Sequence, residues 1–126
     1  MEYYSYLINL FAIEQVQFYP VGRPRNVEVL KGVKVGETKF TPVRYPQLLR
    51  NPNYDISRIE VVREFAFSSE NFALIFEDVM REILMRKYPS NFVKKDRFED
   101  IALTKEDLQV IDLAYLKFSN FIENAF

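Results

Sequence analysis

The sequence has no cysteine, no histidine, no tryptophan and only three glycines. The first two absences exclude the most chemistry. Without an imidazole, serine or cysteine hydrolases of the triad type have no proton carrier. Zinc centres built from His and Cys are excluded on the same ground, as are tyrosine-nucleophile nickases that hold their metal through histidine. Without cysteine there is no disulfide framework, which points to a reducing compartment. Gly22, Gly32 and Gly36 form neither a phosphate-cradling loop nor a dinucleotide fingerprint. Long apolar runs are missing too. None approaches the roughly 20 residues of a membrane span, so no membrane association is expected. The opening Met1-Glu2-Tyr3-Tyr4-Ser5 lacks the basic region of a secretory signal. The expected location is therefore the cytoplasm, or a host cell's cytoplasm were the source viral.

What is present suits a globular protein. The 126 residues are 48% hydrophobic and 28% charged, which argues against disorder and for one domain spanning 1–126. Twelve Phe and eight Tyr make the chain heavy in aromatics, and most of those rings are expected in a core. The net charge is −1, but it is unevenly distributed. Residues 23–50 carry seven cations against two acids, a local balance of +5 that leaves −6 for the rest.

Periodicity predicts an α+β fold, with an antiparallel sheet of about three strands covered on one face by two long C-terminal helices. In residues 2–19, Tyr4, Leu7, Ile8, Phe11 and Phe18 follow helical spacing, whereas Val16 and Phe18 alternate with Gln15 and Gln17 like a strand. The helix, ending before Pro20, is the preferred reading. Val27–Leu30 and Val33–Val35 read as a basic hairpin turning at Lys31-Gly32. Pro42, Pro46 and Pro52 predict an extended surface loop over 41–54. Residues 56–67 read as a strand, because Val61-Val62 and Phe65-Ala66-Phe67 are rich in strand formers. A helix over 70–88 is capped by Ser68 or Ser69 and buries Phe72, Ile75, Phe76, Val79, Met80, Ile83 and Leu84. A second starts at Thr104, with Asp107 at the capping-box position and a stripe of Leu108, Ile111, Tyr115, Phe118, Ile122 and Phe126. The polar connection 90–103 has room for a short helical turn.

Three functional expectations follow. The leading one is a small non-enzymatic binding protein, a regulator, inhibitor or accessory subunit, that acts through protein–protein contact and takes no metal or cofactor. Beyond its core stripe the last helix carries Val110, Leu113, Ala114 and Phe121, more apolar surface than one contact buries. A homodimer built on 105–126 through Val110, Leu113 and Phe121 is one form this contact takes. The second expectation is a nucleic-acid-binding accessory protein. Here Arg23, Arg25, Lys31, Lys34, Lys39, Arg44 and Arg50 contact phosphates, while Phe40, Tyr45 and Tyr54 stack on bases. Against it stand an acidic pI near 5.6 and the ordinary use of lysines on the solvent face of an edge hairpin. The third is a metal-dependent phosphodiesterase. Glu37-Thr38-Lys39 follows a predicted strand, as in nucleases whose acid holds Mg²⁺ and whose Lys activates water, and Glu28 is the nearby second acid. A solvated strand face is the preferred reading of that triplet. Asp96, Glu99, Asp100, Glu106 and Asp107 form a further acidic group without the glycine of a calcium loop. Glu106 and Asp107 are better read as complementing a helix dipole.

Overall fold

The computed structural model describes residues 2–17, 22–52, 55–94 and 97–125. In chain order the elements are β1 (Tyr3–Val16), β2 (Arg25–Thr38), α1 (Thr41–Arg50), β3 (Arg58–Phe67), α2 (Glu70–Lys87), a 3₁₀ turn (Pro89–Asn91), β4 (Phe92–Lys94), β5 (Arg97–Glu99) and α3 (Lys105–Ala125). The five strands form an antiparallel sheet in the order β3-β1-β2-β5-β4. The fold is α+β, with five strands rather than about three.

The first strand is a correction to the helical reading of 2–19. β1 lies between β2 and β3 and is covered on both faces. Leu7 packs with Val33, Val35 and the residues of α2 and α3, whereas Tyr6, Ile8 and Leu10 pack on the other side with Leu48. A strand buried on both faces has apolar residues at successive positions, which mimics a helical stripe.

The hairpin reading of 27–35 is also corrected. β2 runs through Lys31 and Gly32 without turning, and its partner is β1. The register slips between Leu10 and Phe11, pairing them with Gly32 and Leu30 and leaving Lys31 as the extra residue of a bulge. Gly32 is required there because a Cβ would collide with the Phe98 carbonyl of β5. Gly36 likewise lies under the Tyr6 ring. The proline-rich stretch is helical rather than extended. Pro42 occupies the first turn of α1, where no amide partner is needed, and Pro46 lies inside the helix.

β3 bears out the strand reading of 56–67. α2 and α3 both pack on the face of the sheet that carries Leu7, Val33, Phe65 and Phe67. Phe76 of α2 is the centre of that layer, with ring centroids 5.0 Å from Phe65, 5.6 Å from Phe67 and Tyr115, and 6.1 Å from Phe118. Ser5 ties the layer down by donating from Oγ to the Ala73 carbonyl at 2.6 Å. Ser69 is the N-cap residue of α2, but its side chain makes no capping bond. At α3 the predicted capping box is formed. The Thr104 amide donates to Asp107 Oδ2 at 2.9 Å, and the Asp107 amide donates to Thr104 Oγ1 at 3.1 Å.

α1 covers the opposite face through Leu48 and Tyr45, the latter edge-on to Tyr6 at 5.6 Å. Along the outer strand β3, the Val62 carbonyl accepts from the Arg63 guanidinium at 2.9 Å, and the Ala66 carbonyl from the Tyr115 hydroxyl at 2.9 Å. Among the described residues no helix is long and apolar enough to cross a membrane.

Candidate functional site

Four elements converge at the C-terminal end of β2. β1 contributes Tyr3, β2 contributes Glu37 and Thr38, α1 contributes Arg44 and Gln47, and the first turn of α2 contributes Glu70; Lys39 lies in the bend between β2 and α1. Together they line a polar cleft of about 420 Å³. Local structure explains the convergence. The Thr38 side chain is buried and its Oγ1 accepts from the Phe40 amide at 3.2 Å, which turns the chain from strand to helix. Arg44 and Gln47, three residues apart, then share one face of α1. Arg44 is held by donation from Nε to the Tyr6 hydroxyl at 3.2 Å.

The electrostatics of this cleft centre on Glu37. Partial burial pushes its carboxyl above the ordinary range, and the neighbouring Glu70 carboxylate pushes it further, while the Arg44 guanidinium pulls it back. Among the described residues the side chains of Glu37, Glu70 and Lys39 form no hydrogen bond or ion pair, although opposite charges share the cleft. Elsewhere in the molecule several charges are paired. Arg63 makes a two-pronged pair with Asp112 at 3.0 and 3.1 Å, and Lys87 pairs with Asp107 at 2.6 Å.

The structure separates the acids grouped by sequence. Glu28 sits nine residues up β2 from Glu37, about 30 Å along a strand, where Arg58 donates to it at 2.8 and 2.9 Å. Glu28 is therefore remote from Glu37, and the acid that shares the cleft with Glu37 is Glu70. Sequence reading missed Glu70 because it comes from a helix more than thirty residues away, and no local spacing links the two. Of the second acidic group, Asp96 lies outside the described residues. Glu99 accepts from Arg97 at 2.7 Å, and Asp107 serves as the cap of α3.

The basic segment does not assemble into one surface. From Arg25 to Lys39 the chain is extended over roughly 45 Å. Arg23 and Arg25 are exposed at its far end, and Lys31 is paired with Glu14 at 2.5 Å. Lys34 is only 1% exposed, opposite Ile8. It is not on a solvent face, and β2 is an internal strand flanked by β1 and β5 rather than an edge. Arg50 donates to its own helix, at the Pro46 carbonyl. Tyr45 is packed against Tyr6, and its hydroxyl donates to Glu64 at 2.7 Å; burial first, and then this bond, push its ionisation far above the ordinary range. Phe40 is exposed, and Tyr54 lies outside the described residues.

A second surface lies on the outer side of α2 and α3. Two adjoining shallow grooves of about 480 and 320 Å³ share Ile83 and Arg86 and run from Ile75 and Val79 to Val110. On the outward half of α3, Val110 and Leu113 are each 51% exposed and Phe121 is 63% exposed. These are the residues at which the sequence reading placed an oligomer contact.

The chain matches no family model, no curated protein and no solved structure, so geometry alone carries the functional reading.

Proposed function

We propose that this is a small non-enzymatic binding protein, a regulator or accessory subunit, that works by protein–protein contact through the outer face of α2 and α3. The observation that carries this reading is the outward apolar stripe of α3. Val110, Leu113 and Phe121 are each more than half exposed, and Val110 lines the groove that continues past Ile83 to Val79 and Ile75. Apolar surface arranged as a stripe beside a groove is the form in which helical faces are recognised by partners. The rim of the groove carries both signs, with Asp78, Glu82, Arg86 and Glu106, which suits a protein surface better than a polyanion. The dispersal of the basic segment favours the same reading over nucleic acid.

The test is a comparison of the parent chain with the double variant Leu113→Glu/Phe121→Glu. Both positions are exposed, so the variant is expected to fold, as circular dichroism will check. Light scattering and affinity capture from the native organism should show a dimer or a specific partner for the parent. In the variant the association should weaken by at least about tenfold. Equal association by both proteins, or a salt-sensitive oligonucleotide complex that the double variant keeps, would remove this function.

A further inference from the structure

The outward side of α3 carries an order that its apolar residues alone do not describe. Glu106, Val110, Leu113, Lys117, Asn120 and Asn124 stand alternately four and three apart, and all six are exposed. Residues so spaced form one line along a helix. The line lies opposite the stripe of Leu108, Ile111, Tyr115, Phe118 and Ile122, which packs on the core. Alternation of three and four is the spacing by which one helix interlocks with another along a shared seam. Leu116 and Phe121, 58% and 63% exposed, flank the line on its two sides.

The charges on the line decide which helix fits it. Among the described residues the side chains of Glu106 and Lys117 form no hydrogen bond or ion pair, so both charges are open to a neighbour. Two copies of α3 laid in the same direction set Glu106 against Glu106 and Lys117 against Lys117, and both contacts repel. Laid in opposite directions, with Val110 beside the second copy's Leu113, the line matches itself at four successive positions. Glu106 meets Lys117, Val110 meets Leu113, Leu113 meets Val110, and Lys117 meets Glu106. A slip of one heptad sets Val110 against Asn120 and Leu113 against Lys117, which buries an amide and a base on apolar partners. The opposite slip sets Glu106 against Val110 and carries Lys117 beyond the end of the other helix. The line is thus complementary to itself in one direction and one register.

We propose that the occupant of this face is a second copy of the chain, the two α3 helices pairing antiparallel about a twofold axis, with Val110 and Leu113 packed at the centre and Glu106 paired with Lys117 at each end. This pairing rests on the contact role given above to the α2–α3 face and specifies its partner. The matched run from Glu106 to Lys117 covers about 17 Å of helix. So short a seam belongs with the smaller, transient interfaces, and a micromolar rather than nanomolar Kd is expected.

The experiment is sedimentation equilibrium of the full chain from micromolar to submillimolar concentration, for the parent, Glu106→Lys, Lys117→Glu and the double reversal Glu106→Lys/Lys117→Glu. Both positions are exposed, so the variants are expected to fold, as circular dichroism will check. The parent should pass from monomer to dimer across the range. Each single reversal sets like charges together at both ends of the seam and should weaken the dimer at least about tenfold. The double reversal restores opposite charges at both ends, and its Kd should return to within about threefold of the parent's. In a parallel pair neither single reversal would weaken the dimer, so their effect also reads the direction. A parent that stays monomeric throughout, single reversals that dimerise as the parent does, or a double reversal no tighter than the singles would overturn the pairing. A monomeric parent that still captures another protein, through a contact that Leu113→Glu/Phe121→Glu abolishes, removes the second copy as occupant and leaves the binding role of the face standing.

Discussion

At the foot of α3 the Asp107 side chain is 5% exposed and accepts from three directions: Lys87 Nζ and the Tyr88 hydroxyl, each at 2.6 Å, and the Thr104 amide at 2.9 Å. Burial by itself opposes ionisation, but these donors outweigh it and hold the carboxyl below its ordinary value. One residue thus caps α3 and joins it to the end of α2. Replacing it by alanine removes half of the capping box and leaves the half-buried Tyr88 hydroxyl without its acceptor, so Asp107→Ala should cost about 1–2 kcal/mol at neutral pH by urea denaturation. The sign of its pH dependence follows from linkage. Because the folded carboxyl is the stronger acid, its contribution is fully present above the unfolded value of about 3.9. It is lost as pH falls through the folded value, where the unfolded chain has already taken up its proton. The gap between parent and variant should therefore be largest near neutrality and narrow steadily below about pH 4.

Among the elements, α2 and α3 are legible in the sequence because each packs one face. Phe72, Phe76, Val79, Met80, Ile83 and Leu84 fall on the core side of α2 at helical spacing, as do Leu108, Ile111, Tyr115, Phe118 and Ile122 on α3; Ile75, expected in the same stripe, is instead exposed, and Phe126 lies outside the described residues. Phe76 touches rings from both neighbouring layers and is fully buried. Phe76→Ala should cost about 3–5 kcal/mol in equilibrium unfolding; a loss under about 1 kcal/mol would mean that the aromatic layer is not packed as described. β1 and α1 are not legible, and β2 is legible as strand but not as one unbroken strand, for three separate reasons. Two-sided burial hides the strand period of β1. A glycine chosen for the close approach of β5 imitates a turn residue in β2. Prolines that usually mark loops are accommodated in α1, where Pro42 meets the unbonded first turn. The candidate site is half legible: Glu37 and Lys39 stand two residues apart on a strand end, whereas Arg44 and Glu70 reach them only through the crossover of the chain around the sheet.

Across the whole molecule the two faces of the sheet are unequally held. The α2–α3 side contains a dozen buried residues from six elements, and the α1 side is a small cluster of Tyr6, Ile8, Leu10 and Leu48. α1 has one buried residue, an internal proline and no side-chain cap. Stability should be correspondingly uneven. Native-state hydrogen exchange is expected to show α1 amides opening at a free energy at least about 2 kcal/mol below those of α2; equal protection of the two helices would contradict this.

The outer strand β3 adds a consequence for life at high concentration. A sheet margin with vacant acceptors invites strands from other chains, and growth of such contacts ends in fibrils. Here the carbonyls of Val62 and Ala66 are already engaged by Arg63 and Tyr115, and Arg63 is itself anchored to α3 through Asp112. An incoming strand must first evict a guanidinium and a phenol that the protein's own last helix holds in place. α3 thereby guards the sheet's margin, and chains that lose it should be more prone to precipitate than to stay dispersed.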